Sequence, residues 1–457
     1  MQSIVVLGAL AAVASAQCGD SVQLGYTCDP EVSHYWGEYS PFFSVPSLIP
    51  PEVPWGCDIT FASVLSRHGA RFPTSGDTKD LVGLIDQIHK QTTSYSPQYA
   101  FIKNYNYTLG ANLLTPFGQV EMVQSGQAFF ERYESLARKY TPFFRSSSDE
   151  RVIESAQNFS LGFHEARTQA GASDSSYPYP LQILSEDPGT NNTLFAQQIC
   201  PVYANGPDSN INNAAEDTWA NVWIGPVQTR VNDNLKGANL SSSQIIELME
   251  LCPYNSVNQG VISQFCGLFT DLEWKYFDYY RTVDKWYEDM QGNPLGPTTG
   301  VAWAAELIAR MTDNRTYVTD AQSYTSINHT LDDSQATFPL GPGYPLYADF
   351  THDDNIFSIY GALGLYNATK NLSNTTYESA EQAGGFSSSW VVPFGGRGYF
   401  EKMSCVGEPE ELVRVVINNR VVPLQNCGAD LLGRCQLSKF VASQTFVTDG
   451  GLWNQCY

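Results

Sequence analysis

Ser66-Arg67-His68-Gly69-Ala70-Arg71-Phe72-Pro73-Thr74 follows an apolar run, 59–65, that reads as a buried strand. Two arginines and a histidine therefore stand where a strand ends. In open α/β sheets ligands bind at the carboxyl ends of strands, and Gly69 permits a tight turn there without a Cβ clash. Guanidinium forks match phosphate oxygens in pairs and stay charged at any working pH. The imidazole between them has two candidate jobs. It is either a general base or a nucleophile that carries a phosphoryl group on a ring nitrogen.

A second stretch has the same form. In Leu346-Tyr347-Ala348-Asp349-Phe350-Thr351-His352-Asp353-Asp354-Asn355-Ile356 a strand again ends in a polar cluster that opens a helix. Asp353 and Asp354 read as helix caps on their own. Beside a phosphate site, one of them supplies what ester hydrolysis still needs, a proton for the leaving oxygen. A third stretch lies between them. Ser147 with Glu150 three residues on fits a capping box, which puts Arg151 in the first turn of a helix, where anions are favoured. Arg145, on the preceding strand, is its close competitor.

Arg67-His68-Gly69-Ala70-Arg71-Phe72-Pro73-Thr74 resembles the signature of the histidine acid phosphatases, and the chain as a whole is similar to the fungal phytase type of that family. The resemblance implies the histidine phosphatase fold, a large α/β sandwich domain with a smaller, mostly α-helical domain inserted. It implies His68 as nucleophile, with Arg67, Arg71, Arg151 and His352 on the phosphoryl oxygens. Asp353 would protonate the leaving oxygen and then activate water. Trp36-Gly37-Glu38-Tyr39-Ser40-Pro41-Phe42-Phe43 resembles a family segment beside the active site, which adds Tyr39 to the substrate-binding residues. Lys103 and Lys285 stand where relatives reach outer phosphates.

No metal and no cofactor are expected, because fixed guanidinium groups replace a Mg²⁺ clamp. The expected substrate is myo-inositol hexakisphosphate. Two positions depart from the pattern, Glu38 where relatives often have Gln and Asp354 where Asn commonly follows. The second carboxylate is expected to raise the pKa of Asp353. Both departures favour a broad-specificity acid phosphatase as the second reading. A non-catalytic secreted glycoprotein that binds phosphorylated ligands is the third, and it would be expected to lack His68 or Asp353.

The 457 residues are enough for two lobes. Residues 1–16, with an apolar stretch before Ala14-Ser15-Ala16, fit a signal peptide, although Met1-Gln2-Ser3 carries no Lys or Arg. An N-terminal arm, 17–54, follows. The α/β domain is expected over 55–145 and 292–457, and the helical domain over 146–291. Thr115 as cap before Pro116, Ser241 with Gln244, the aromatic-rich 271–287, and Val301, Ala305, Ile308 and Met311 mark helices. Asn418-Asn419 between apolar runs marks a hairpin at a sheet edge.

Ten cysteines and nine N-x-S/T sequons fit an oxidising, extracellular setting. Short separations favour Cys18–Cys28, Cys252–Cys266 and Cys427–Cys435, and the resemblance implies Cys57–Cys405 and Cys200–Cys456. Neither C-x-x-C pairs nor histidine clusters suggest a metal. A net charge of -22 opposes nucleic acid and anionic membranes as partners. It also opposes a phosphorylated substrate unless the pocket is locally positive, a conflict that acid pH eases. The chain is expected to act as a monomer.

Overall fold

The computed structural model describes residues 19–190, 192–321, 325–327, 331–332 and 334–457. The signal-peptide reading of 1–16 and Cys18 lie outside them. Strand β1 (Cys57–Arg67) is the apolar run and sits inside an eight-stranded sheet. On one side lie, in order, β4 (Leu346–Thr351), β2 (Phe143–Ser147) and β3 (Leu181–Leu184), all parallel. On the other side the sheet turns antiparallel through β5 (Arg397–Cys405) and β6 (Leu412–Ile417). Strands β7 (Arg420–Val422) and β8 (Cys435–Gln436) both pair with β6 at that edge. Asn418 and Asn419 turn the β6–β7 hairpin with φ of 47° and 67°.

Strand β1 is apolar on both faces because helices cover both. Ala62 and Val64 join a core with Phe129 and Phe159, from α2 (Pro116–Arg132) and α3 (Glu150–Gln169). Phe61 and Leu65 join the opposite core with Trp303 and Phe357, from α7 (Val301–Thr312) and α8 (Asp353–Ala362). A register shift between Ile59 and Phe61 lets Ile59 share a face with Ala62 and Val64.

A separate core of Trp219, Leu248, Trp274 and Phe277 fills the helical lobe. Its helices are α1 (Ser75–Gln91), α4 (Ile211–Asn234), α5 (Ser242–Gln259) and α6 (Asp271–Asp289). Trp36 and Tyr39 of the arm pack into the same core.

The lobe boundaries differ from those expected. Residues 150–169 and 181–184, expected in the helical domain, belong to the sheet layer as a β2–α3–β3 crossover. Helix α1, expected with the sheet, packs Leu81, Leu84, Ile85 and Ile88 into the helical core. Periodicity reports that a face is buried, not which partner covers it. The cap of α3 also differs. Asp149, not Ser147, accepts the amide of Arg151, because Ser147 still belongs to strand β2.

Among the described residues, disulfides join Cys57–Cys405, Cys200–Cys456, Cys252–Cys266 and Cys427–Cys435. Cys28 is also disulfide-bonded, and its expected partner Cys18 lies outside the described residues. No helix among the described residues is long and apolar enough to cross a membrane.

The loop after β1 rests on the first turn of α2. Thr115 donates to the carbonyl of Ala70 through its amide (2.9 Å) and its hydroxyl (3.1 Å). A Cβ at Gly118 would run into the backbone oxygen of Ala70 and lie 2.6 Å from its nitrogen. Gly118→Ala must therefore push the loop off the helix. The expected cost is about 1–3 kcal/mol in urea denaturation, with activity falling more than stability alone explains.

Candidate active site

Parallel pairing sets Arg67 opposite Thr351, so β1 and β4 end at the same level. The amide of His68 donates to the carbonyl of Thr351 at 3.2 Å. The residues that follow the two strands, His68 and His352, thereby come together with ring centroids 5.8 Å apart. The carbonyl of Gly69 lies 2.8 Å from His68 Nδ1 and can only accept, so Nδ1 carries the proton and Nε2 keeps a lone pair. Burial, and then Arg67, Arg151, Arg71 and His352, hold the imidazole's pKa well below its ordinary value. His68 is a neutral, buried imidazole whose Nε2 keeps its lone pair.

Three guanidinium groups surround it. Arg67 Nη1 donates to the carbonyls of Glu38 and, at 2.8 Å, Val392, while the group stands over the Phe394 ring. Its Nη2 lies 3.1 Å from Asp353 Oδ2. Arg71 Nη1 donates to the carbonyl of Phe72 at 2.9 Å. Arg151 Nη1 pairs with Asp149 at 2.6 Å, and its Nη2 lies 3.3 Å from His352 Nδ1. Among the described residues the Nε donors of all three arginines are buried without an acceptor. Buried N–H groups left unpaired around a neutral imidazole call for an acceptor-rich anion. Arg145 does not join them. It is closed off by Asp349 (2.9 Å) and Glu306 (2.5 Å) behind the sheet's end.

Asp353 opens α8 beside these cations. Burial would raise its pKa, but Arg67, Lys285, Arg71 and His352 outweigh burial and hold it well below the usual carboxylate range. The expected rise driven by Asp354 is thus reversed. Asp354 is turned to Lys285, 2.5 Å away, and its charge is spent there. Lys285 also binds Glu288 at 2.6 Å. Tyr39 is buried between Tyr254, Phe394 and the guanidinium of Arg281, one residue from the Glu38 carbonyl that holds Arg67. The Glu38 carboxylate itself pairs with Arg281 Nε at 2.8 Å. Lys103 is exposed on the short helix Pro97–Asn104, and no described contact ties it to the cluster.

Two carboxylates in this region escaped the sequence reading. Glu121 accepts the amides of Phe42 (2.7 Å) and Ala70 (2.9 Å), which clamps the arm to the loop after β1. Nothing in its helix distinguishes it from a surface glutamate. Glu186 follows β3 and lies 3.1 Å from His352 Nε2. An acidic group just past a parallel strand is the same signal that marks the other two stretches, but the strand at 181–184 lies within the expected helical domain.

Residues 58–418 match the histidine phosphatase superfamily, branch 2. The chain belongs to that superfamily. Phytase A of Aspergillus awamori is 45% identical over 448 residues, covering 96% of this chain and 93% of the relative. Phytase A of Aspergillus fumigatus is 42% identical over 459 residues, covering 99% and 96%. The crystal structure of the D. castellii phytase superposes with a TM-score of 0.75 at 22% identity, covering 93% of this chain and 87% of that one. The Bifidobacterium longum multiple inositol polyphosphate phosphatase, in complex with inositol hexasulfate, superposes with a TM-score of 0.57 at 16% identity, covering 89% and 96%. At those identities the structures speak for the superfamily's fold, an α/β sheet lobe beside a helical lobe.

Glu121 offers a test through pH. Burial pushes its carboxyl up to about 7, against the two amide hydrogen bonds and the charges of Arg397 and Arg67. A carboxyl whose folded pKa is raised binds its proton more tightly folded than unfolded, so stability is lost as pH rises from the unfolded value through about 7. Glu121→Gln cannot ionise. Its unfolding free energy is expected to decline less between pH 5 and 8 than the parent's, by at most roughly 3 kcal/mol. Equal slopes in urea titrations would refute the buried, protonated carboxyl.

Proposed function

We propose that this chain is a secreted phytase, a histidine acid phosphatase that hydrolyses the phosphate monoesters of myo-inositol hexakisphosphate through a phosphohistidine. One observation carries the reading. A neutral imidazole with one free nitrogen is ringed by three guanidinium groups whose Nε donors have no acceptor.

His68 Nε2 attacks phosphorus in line, and the bond from phosphorus to the ester oxygen breaks. Arg67, Arg71, Arg151 and His352 bind the equatorial oxygens, where fixed donors stabilise developing charge without reorganising. Asp353 gives its proton to the leaving alkoxide. It then takes a proton from the water that attacks phosphohistidine, and the N–P bond breaks to free inorganic phosphate and His68. Asp353 is deprotonated in the empty site, so its proton must arrive with substrate. A phosphate dianion offsets the surrounding cations and raises the affinity of the carboxyl for a proton, and acid pH helps in the same direction.

The relatives named Phytase A support the substrate, as does the inositol hexasulfate bound by the Bifidobacterium enzyme. Export and oxidative folding are supported by the signal-like 1–16, the sequons and the disulfides. The protein acts as a monomer on a small phosphorylated substrate. The broad-specificity reading is favoured by a separate observation. Arg281 and Lys285, the cations nearest the phosphate site on α6, are already occupied by Glu38 and Asp354.

Phosphate release is to be measured near pH 5 in EDTA, comparing inositol hexakisphosphate with p-nitrophenyl phosphate. Activity with chelator present is expected, and His68→Ala should lose about 10⁴-fold or more in kcat. Survival of His68→Ala, or loss of the parent's activity in EDTA, would remove the mechanism. Comparable kcat/KM on the two substrates would instead favour the broad-specificity reading. Asp353→Asn separates the proton step. In kcat/KM, which reports only the steps up to phosphohistidine, it should cost about 10²–10⁴-fold on inositol hexakisphosphate and far less on p-nitrophenyl phosphate, whose leaving group needs no proton. Equal losses on both would deny Asp353 the role of general acid.

A further inference from the structure

Resting on the phosphatase reading above, we propose that Ser155 is a positioning residue that fixes the backbone beside the nucleophile His68 to the helix that carries Arg151. One hydroxyl makes the link. Ser155 Oγ accepts the amide of Gly69 at 3.0 Å and donates to the carbonyl of Arg151 at 2.6 Å. The side chain is fully buried, one turn along α3 from Arg151. A mid-helix serine bonded back to the carbonyl four residues earlier contributes little to its own helix. What it supplies here is a lone pair turned to Gly69.

Gly69 needs that restraint from outside. It has no side chain to pack, and a Cβ there would lie 2.5 Å from the carbonyl oxygen of Gly118 and 2.9 Å from Met122 Cγ. Its two peptide planes are therefore held chiefly by hydrogen bonds. In the plane shared with His68, the His68 carbonyl accepts the amide of Gly395 at 2.9 Å and the Gly69 amide goes to Ser155. In the plane shared with Ala70, the Gly69 carbonyl accepts from His68 Nδ1 and the Ala70 amide goes to Glu121. The glycine is the joint between these planes, so a swing of the first carries His68 with it. Of these ties, the one to Ser155 runs to α3. His68 and Arg151 must meet on one phosphoryl group, His68 at phosphorus and Arg151 at its oxygens, so their spacing matters to the reaction as well as to the fold. Arg151 stays with its helix when the hydroxyl is lost, and it is His68 that shifts.

The helical lobe holds the same arrangement apart from the site. Ser256 on α5 donates to the carbonyl of Cys252 at 2.7 Å and accepts the amide of Ser263 at 2.9 Å, and it too is fully buried. None of its described hydrogen-bond partners belongs to the phosphate site, which makes it a matched control. Two readouts separate position from stability. On p-nitrophenyl phosphate kcat/KM reports the steps up to phosphohistidine, and the inhibition constant of inorganic phosphate reports how well the arginines hold an anion.

Measured well below each variant's melting temperature, Ser155→Ala is expected to lower kcat/KM about 10- to 100-fold, the scale of a small misplacement of a reacting group, while the phosphate constant moves less than about threefold. Ser256→Ala should lose comparable stability and keep kcat/KM within about threefold of the parent. Ser155→Thr and Ser155→Val are matched in shape and differ in the hydroxyl, which threonine in a helix bonds back to the carbonyl four residues earlier. Threonine should recover most of the loss, and valine should not. Hydrogen exchange at the Gly69 amide should quicken in Ser155→Ala and Ser155→Val but not in Ser155→Thr, a readout that needs no activity. An unmoved kcat/KM or an unmoved Gly69 exchange rate in Ser155→Ala would overturn the proposal. So would a phosphate constant weakened as much as kcat/KM, a Ser256→Ala as impaired as Ser155→Ala, or a threonine no better than valine. The phosphatase reading fails differently, through an inactive parent or an active His68→Ala.

Discussion

Everything chemical in this protein depends on the parallel pairing of Cys57–Arg67 with Leu346–Thr351. That register ends two strands at one level, Arg67 against Thr351, although nearly three hundred residues separate them. The backbone then leaves the sheet twice in the same place. His68 and Arg71 follow one exit, and His352 and Asp353 follow the other. A shift of the pairing by one residue would turn the side chains of either strand to the opposite face. The cores on both faces of β1 forbid that shift, because Ala62 and Val64 fit one and Phe61 and Leu65 fit the other.

Around this junction the protein assembles positive charge within a molecule of net charge -22. It does so by choosing which cations to neutralise. Arg145 and Arg310 are matched to Asp349, and Arg414 and Arg132 to Glu401. These buried pairs, with Glu306 added on Arg145, hold strands and arm together and commit their cations to structural partners. Arg67, Arg71 and Arg151 are instead held mainly by carbonyls and by single carboxylates at the rim of the site, so part of each fork remains unpaired. Burial and, after it, the field of those unfinished pairings keep the His68 imidazole neutral at pH values where a free histidine would be charged.

Carboxylates then set the limits of that field. Glu121 ties the loop after β1 to the arm, and the arm's Glu38 carbonyl orients Arg67. Glu186 and Asp149 lie behind His352 and Arg151. Asp354 and Glu38 take up Lys285 and Arg281, which keeps two further cations from adding to the positive region. Acidic side chains thus do as much as basic ones to define where an anion fits.

The two polar stretches after apolar strands, the helix starts at Thr115 and Ser241, and the hairpin at Asn418-Asn419 were legible in the amino-acid order alone. Each is written in a few adjacent residues whose backbone preferences or hydrogen-bonding groups act locally. The sequence by itself thus determined the chemistry available, a histidine, several arginines and a carboxyl at strand ends. Tertiary structure decided what could not be local. It gave α1 to the helical lobe and α3 to the sheet, and it chose Arg151 over Arg145 by burying the latter between Asp349 and Glu306. It also reversed the expected shift of Asp353 by turning Asp354 toward Lys285. Charge and pKa depend on distances across space, and a linear order of residues does not contain those distances until the sheet brings its strands together.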